Sequence, residues 1–229
     1  MARRVPFTLA TRSVPRIAIR AENTALLVLD MQRYFADPEG GYNKVARDRG
    51  VEREYTDYYV HASLIIPNIQ SLIVLARKHG MPVIYTQFAY LDPSDVSLLQ
   101  KSLGITISCD DPEAEILPAV EPGKDDPVIV KTGLSAFSNP ALEEELRARG
   151  IENLILTGVM TEFSVRATVY SALDLGFRPI IVSDGCAGIT RETHGGVTSE
   201  MTFGMTKVRT TGEILRYAKE LEFDDVVLI

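Results

Sequence analysis

The 229-residue sequence has no tryptophan, only two cysteines, only three histidines and no excess of basic charge. Each shortage excludes something. Cys109 and Cys186 supply neither a disulfide framework nor a C-x-x-C metal pattern, which fits a reducing cytoplasm. His61 and His79 fall in one early helical stretch, and nothing in the spacing demands that His194 approach a site, so histidine-based chemistry is poorly served. A net charge of -7 argues against broad attraction to nucleic acid or to an anionic membrane. The longest unbroken apolar runs reach about half of the ~20 residues a membrane span needs. The N-terminal "MARRVPFTLATRSVPRIAIR" is basic and lacks a long apolar core, so it reads as an arm, residues 1–20, and not as a signal peptide. A soluble, cytoplasmic protein is expected.

What is present is an apolar share of 45%, enough for a sizeable core in one domain spanning residues 1–229. Short apolar runs recur at close spacing: "TALLVLD" (24–30), "MPVIYTQF" (81–88), "DPVIVKTG" (126–133), "IENLILTG" (151–158), "FRPIIVSDG" (177–185) and a short last strand in "MTKVRTTG". Each is a strand candidate, and the first suits a strand buried on both faces. Helical patterns lie between them. Residues 59–80 end on Lys78, His79 and Gly80, with Pro67 placing the start near Ser63 or a kink at 67. Residues 139–150 carry an Asn cap, Pro in the first turn, acids early and arginines late. "TEFSVRATVYSALDLG" ends on glycine. "RETHGGVTSEMTFG" reads as a helix despite two glycines, and a terminal helix starts near Thr211. "DPEGGYNKVARDRG" reads as a polar loop. Residues 89–126 form a long inserted excursion, either an active-site cover or a plain surface insertion. The alternation predicts an α/β fold: a three-layer α/β/α sandwich around a Rossmann-like, mainly parallel sheet of about six strands.

Ligands in such sheets sit beyond the carboxyl ends of the strands, which singles out Asp30, Gln87, Phe88, Lys131, the 158–164 turn and Asp184. Asp30 is either a cap or a functional acid. Lys131, directly after "VIV", needs a partner if buried, and Asp30 is the obvious one if the two strands are neighbours; otherwise its amine lies in solvent. Ser164 sits in the first turns of a helix, where a thiolate would be stabilised but a hydroxyl would gain little. A serine nucleophile normally needs a histidine base, so a small helix residue is the other reading.

The motifs "LLVLDMQRYF", "VIVKTGLSAF" and "LILTGVMTEFSVRATVYSALDLGF", followed by "PIIVSDGCAG", resemble in order those of the isochorismatase-like hydrolase superfamily, in its cysteine amidohydrolase branch. The likeness runs over about residues 22–215. It implies a catalytic triad of Asp30, Lys131 and the residue at 164, where this chain has Ser164 in place of cysteine. It further implies a non-proline cis peptide between Val159 and Met160 and an oxyanion hole from the backbone of Met160 and Ser164. Asp30 would take the thiol proton, and Lys131 would hold the aspartate and steady developing charge. Either the serine is an introduced replacement that leaves an inactive variant, as the otherwise intact motif favours, or it is natural.

The implied substrate is a small amide, with ureido, carbamoyl and biuret-like compounds among the options. The alternatives are isochorismatase-type vinyl-ether hydrolysis with a natural Ser164, for which "DMQRYF" speaks, and a binding protein with a decayed site. The nicotinamidase branch carries histidine metal ligands after the first aspartate; Gln32, Asp37 and "AYLDPSD" supply none, so neither metal nor cofactor is expected. Gln87, Tyr34, Phe35, Tyr42, Phe88, Phe137 and Glu162 are the pocket candidates, core packing being the alternative for each aromatic, and Arg33 is a candidate for a substrate carboxylate. The resemblance implies a homodimer or homotetramer, with the arm and the apolar "VVLI" end either forming the contact or folding back on their own subunit.

Overall fold

The apolar runs do pair into one parallel sheet. The computed structural model describes residues 18–202, 206–220 and 227–228. Strands β2 (Thr24–Leu29), β3 (Val83–Phe88), β4 (Val128–Lys131), β5 (Asn153–Val159), β6 (Arg178–Ala187) and β7 (Lys207–Arg209) form a six-stranded sheet in the order β4-β3-β2-β5-β6-β7. Every pairing in it is parallel. Outside it, β1 (Ala18–Ile19) pairs antiparallel with β8 (Val227–Leu228) of the same chain.

The period-2 alternation of β2 sorts its side chains to two cores. Leu26 and Val28 join the cluster covered by α3 (Thr56–Lys78) and α8 (Thr211–Glu220), through Ile69, Leu72, Ile73 and Ile214. Ala25, Leu27 and Leu29 join the opposite cluster, covered by α5 (Pro140–Ala148), α6 (Arg166–Asp174) and α7 (Arg191–Thr202), through Leu142, Leu146, Val169 and Val197. These are the three layers expected. Asn139 caps α5 as its sequence requires, accepting from Ala141 N at 3.0 Å.

Three local readings are corrected. The polar loop at 37–50 contains a helix, α2 (Gly41–Asp48), which follows the one-turn α1 (Arg33–Ala36); Tyr42, Val45, Ala46 and Arg49 carry the i, i+3, i+4, i+7 spacing that the two glycines hid. The third helix starts at Thr56, well before Ser63, and runs through Pro67. The excursion at 89–126 holds a short helix, α4 (Leu98–Leu103), begun by a reciprocal Ser97–Gln100 capping box and stopped by Gly104 at φ 69°. The stretch Glu52–Lys78 is also long and apolar enough, by length and composition, to cross a membrane, contrary to the estimate from unbroken runs. Within it Tyr58, Ala62, Ile65, Ile69, Leu72 and Ala76 are buried against the sheet, as in a core helix.

Candidate active site

Counted from β2, the strands follow the order 3-2-1-4-5-6 of a doubly wound sheet, whose direction of winding reverses between β2 and β5. A crevice opens at that reversal, beyond the carboxyl ends. Asp30 leaves β2 there in the left-handed region, φ 51°, a conformation that few residues other than Gly, Asn and Asp tolerate. Facing it, Gly158 of β5 has φ 110°. A Cβ at this position would collide with the Leu29 carbonyl and amide, so the two backbones can lie this close only without a side chain. Gly158→Ala is expected to cost at least about 3 kcal/mol of stability, read from the urea midpoint.

Lys131 and Asp30 meet, although their strands are not neighbours. Strand β3 lies between them, and Thr86 of β3 fills the gap: its Oγ1 donates to Asp30 Oδ1 at 2.6 Å and accepts from Asp30 N at 3.2 Å. Lys131 Nζ reaches Asp30 Oδ2 at 2.8 Å. Its remaining protons face the carbonyls of Gly133 at 3.2 Å and Leu134 at 3.1 Å, with Ser164 Oγ at 3.4 Å. Ser164 Oγ in turn donates to Asp30 Oδ2 at 2.5 Å. One carboxylate oxygen thus receives both the amine and the hydroxyl. The lysine side chain is 0% and the aspartate side chain 4% exposed; burial pushes the lysine below its ordinary pKa, with the Asp30 charge opposing that shift. Full pairing is what makes two charges tolerable at such depth.

Ser164 belongs to a π-helical turn, Thr161–Val165, that leads into α6; such turns recur at functional sites. The Val159–Met160 peptide before it is cis. Val159, Met160, Ser164 and Asp30 line one pocket of about 350 Å³. Of the eight substrate-binding candidates, Tyr34, Phe35, Tyr42 and Phe88 line this pocket, whereas Gln87, Phe137, Glu162 and Arg33 do not. The Gln87 amide donates to Ala114 O at 2.9 Å. Phe137 stacks on Phe177, ring centroids 5.5 Å apart, on the far side of the sheet. Glu162 turns to Ile189 N, at 2.8 Å, and Arg33 is exposed away from the pocket. Asp184 serves as a cap, accepting from Thr211 N and Oγ1 at 2.7 and 2.9 Å. Cys186 is buried in β6 and its thiol pKa is pushed up by burial, the opposite of an activated nucleophile.

Several lining residues escaped the sequence reading: Val45, Ala46, Arg49 and Val51 near α2, Tyr55, Leu103 and Ile105 from the excursion, Leu134, and Phe163. The helical spacing in α2 was the available signal for the first three; nothing local marks Leu103 or Ile105 as pocket residues.

Beside the π-turn, Thr161 Oγ1 lies 2.8 Å from His194 Nδ1, and the rings of His194 and His61 are 6.3 Å apart. Burial lowers both histidine pKa values; the neighbouring imidazole lowers that of His194 further, and Arg191 that of His61. As pH falls below about 6.5 the unfolded chain therefore binds these protons first. The stabilisation is present above that value and is lost as pH drops through the folded values. His194→Gln is expected to flatten this part of the acid limb in urea melts taken from pH 7.5 to 5.

A carboxylate, a buried lysine and a polar side chain at the start of a helical turn thus meet at the switch point of a doubly wound sheet, an arrangement that suits a hydrolase site. The family model for the isochorismatase domain matches residues 24–213, and the chain belongs to that family. It is similar to a probable isochorismatase from Pseudomonas chlororaphis, 29% identical over 217 residues that make up 92% of this chain and 96% of that protein. It is also similar to N-carbamoylsarcosine amidase from an Arthrobacter species, 32% identical over 176 residues, 71% of this chain and 65% of the amidase. Among solved structures, a cysteine hydrolase from Pseudomonas syringae pv. phaseolicola 1448A shares the fold, with a TM-score of 0.76 at 23% identity over 92% of this chain and 99% of that one.

Proposed function

We propose that this chain is built to hydrolyse a C–N bond in a small amide, ureido or carbamoyl compound, and that Ser164 stands where a catalytic thiol belongs, leaving a form that holds substrate and turns it over poorly. The observation that carries the reading is the Ser164 Oγ to Asp30 Oδ2 contact of 2.5 Å, with Lys131 Nζ at 2.8 Å from the same oxygen. It is the geometry of a nucleophile and its base. A cysteine at 164 would pass its proton to Asp30 and attack the carbonyl carbon. The backbone amides of Met160 and residue 164 would receive the oxyanion. As the C–N bond breaks, Asp30 returns the proton to the departing ammonia or amine. Water then attacks the thioester, gives a proton to Asp30, and frees the acid. The similarity to an N-carbamoylsarcosine amidase supports this substrate class.

Vinyl-ether hydrolysis is the second reading, favoured by the extent of the similarity to a probable isochorismatase. It needs an acid but no nucleophile, and it would make Ser164 native. The test is a paired assay of the Ser164 protein and Ser164→Cys, following ammonia release from a panel of primary amides and ureides and, separately, loss of isochorismate. Ammonia from the cysteine variant upholds the proposal; isochorismate turnover by the serine protein with no ammonia from either overturns it. Assembly as a homodimer or homotetramer belongs to the same proposal, and light scattering that finds only monomer at high concentration would remove it.

A further inference from the structure

The pocket offers one positive charge that has no ion-pair partner among the described residues. The Lys131 charge is spent on Asp30. Arg49, at the C-terminal end of α2, lines the same pocket, and among the described residues its guanidinium makes neither an ion pair nor a hydrogen bond. Glu113, whose charge acts on the Tyr34 phenol in opposition to that of Arg49, accepts from the Gly41 amide at 2.8 Å and makes no ion pair with Arg49. The walls around it are aromatic, with Tyr34, Tyr42 and Tyr55 prominent. With Asp30 and Lys131 paired to each other, Arg49 is the charged lining residue left without a bonded counter-ion among the described residues.

We infer that Arg49 is the specificity residue of this pocket and that its ligand is a ureido or amide acid, with a carboxylate on Arg49 and the scissile carbonyl at residue 164. The inference rests on the C–N hydrolase reading for the second half of that ligand, but the anion site stands on its own observations. A carboxylate suits the site better than a phosphate: one planar guanidinium presents a two-donor fork and one charge, and among the described residues no second cation lines the cavity to meet a dianion. The role assigned from sequence to Arg33 thus passes to a residue sixteen positions later.

Titration calorimetry on the Ser164 protein, comparing 4-ureidobutanoate with 4-ureidobutan-1-ol, tests it directly. The acid should bind about tenfold or more tightly than the alcohol. That preference should vanish in Arg49→Ala, return in part in Arg49→Lys, and weaken with salt. Arg49 is exposed, so its variants should keep the parent melting temperature. Equal binding of acid and alcohol, or a preference that survives Arg49→Ala, overturns the assignment, even where Ser164→Cys releases ammonia and the hydrolase reading holds. Conversely, Arg49-dependent binding of 4-ureidobutanoate, with no ammonia from any amide or ureide of the panel in Ser164→Cys, keeps the anion site and sinks the C–N reading. Ammonia release by Ser164→Cys should show the same acid-over-alcohol ratio in kcat/KM, carried by KM.

Discussion

Ser164→Cys should release ammonia from a small ureide or primary amide about 10²–10⁴ times faster than the Ser164 protein, the span that a correctly placed base contributes to a nucleophile it can deprotonate. The base is already in position: Asp30 Oδ2 accepts from Ser164 Oγ at 2.5 Å and is anchored by Lys131 at 2.8 Å and, through its other oxygen, by Thr86 at 2.6 Å. What is mismatched is the acid–base chemistry. A carboxylate is far too weak a base to ionise an alcohol, but the gap to a thiol of pKa near 8.5 is small enough for a partly desolvated pair to close. Sulfur at 164 also stands in the π-turn entering α6, where exposed amides favour an anion. A coupled ammonia assay checks the rate. In the cysteine background Asp30→Asn should bring it back to the serine level, because the amide keeps the shape and loses the base. A cysteine variant as inert as the parent on every amide and ureide would remove the thiol interpretation of position 164.

Lys131→Met should lower stability by about 3–5 kcal/mol, since it leaves the Asp30 charge unpaired at a position almost wholly shielded from solvent. Both side chains are essentially unexposed, and the Lys131 amine also satisfies the carbonyls of Gly133 and Leu134, so little can rearrange to compensate. The double variant Asp30→Asn/Lys131→Met should recover most of that loss, because it removes the charge as well as its partner. Urea denaturation of the two singles and the double measures the coupling. A single variant within about 1 kcal/mol of the parent would show that Asp30 is held neutral or reached by solvent.

The elements easiest to see in the sequence were those whose residues carry their own structure. "TALLVLD", "MPVIYTQF" and "IENLILTG" are runs of apolar and β-branched residues too short for helices, and each lies within or around an observed strand. The Asn139 cap, with Pro140 after it, fixed the start of α5. The helix α7 formed where two glycines argued against it; Val197 and Met201 bury themselves in the second core, and packing outweighs a propensity cost of about 1 kcal/mol per glycine. The helix α2 was missed for a related reason: Gly40 and Gly41 looked like loop punctuation, yet a Cβ at Gly41 would strike the Tyr34 ring, so its glycine answers to tertiary packing and not to local flexibility.

Pocket membership divides in the same way. Asp30 and Ser164 could be named because they follow strands, and a strand end in a doubly wound sheet has a known neighbourhood. Gln87 and Phe88 are adjacent at the end of β3, but alternation turns them apart: Phe88 faces the cavity and Gln87 turns to Ala114. Without the register of β3 against β4 nothing in the two letters says which faces which way. Phe137, in a loop after β4, found its partner in Phe177 across the other core, a contact between residues far apart in sequence.

By itself, then, the chain's residue order determined the strands and their alternation with helices, which follow from periodicity, and its motifs pointed to the family and to Asp30, Lys131 and Ser164 as candidates. Tertiary structure alone decided that Lys131 reaches Asp30 across an intervening strand, that Thr86 holds the other oxygen of Asp30, and that Arg49 rather than Arg33 lines the pocket. The physical reason is that hydrogen bonds and ion pairs act over about 3 Å, whereas the residues that make them here are separated by up to 134 positions, and only the folded sheet converts one distance into the other.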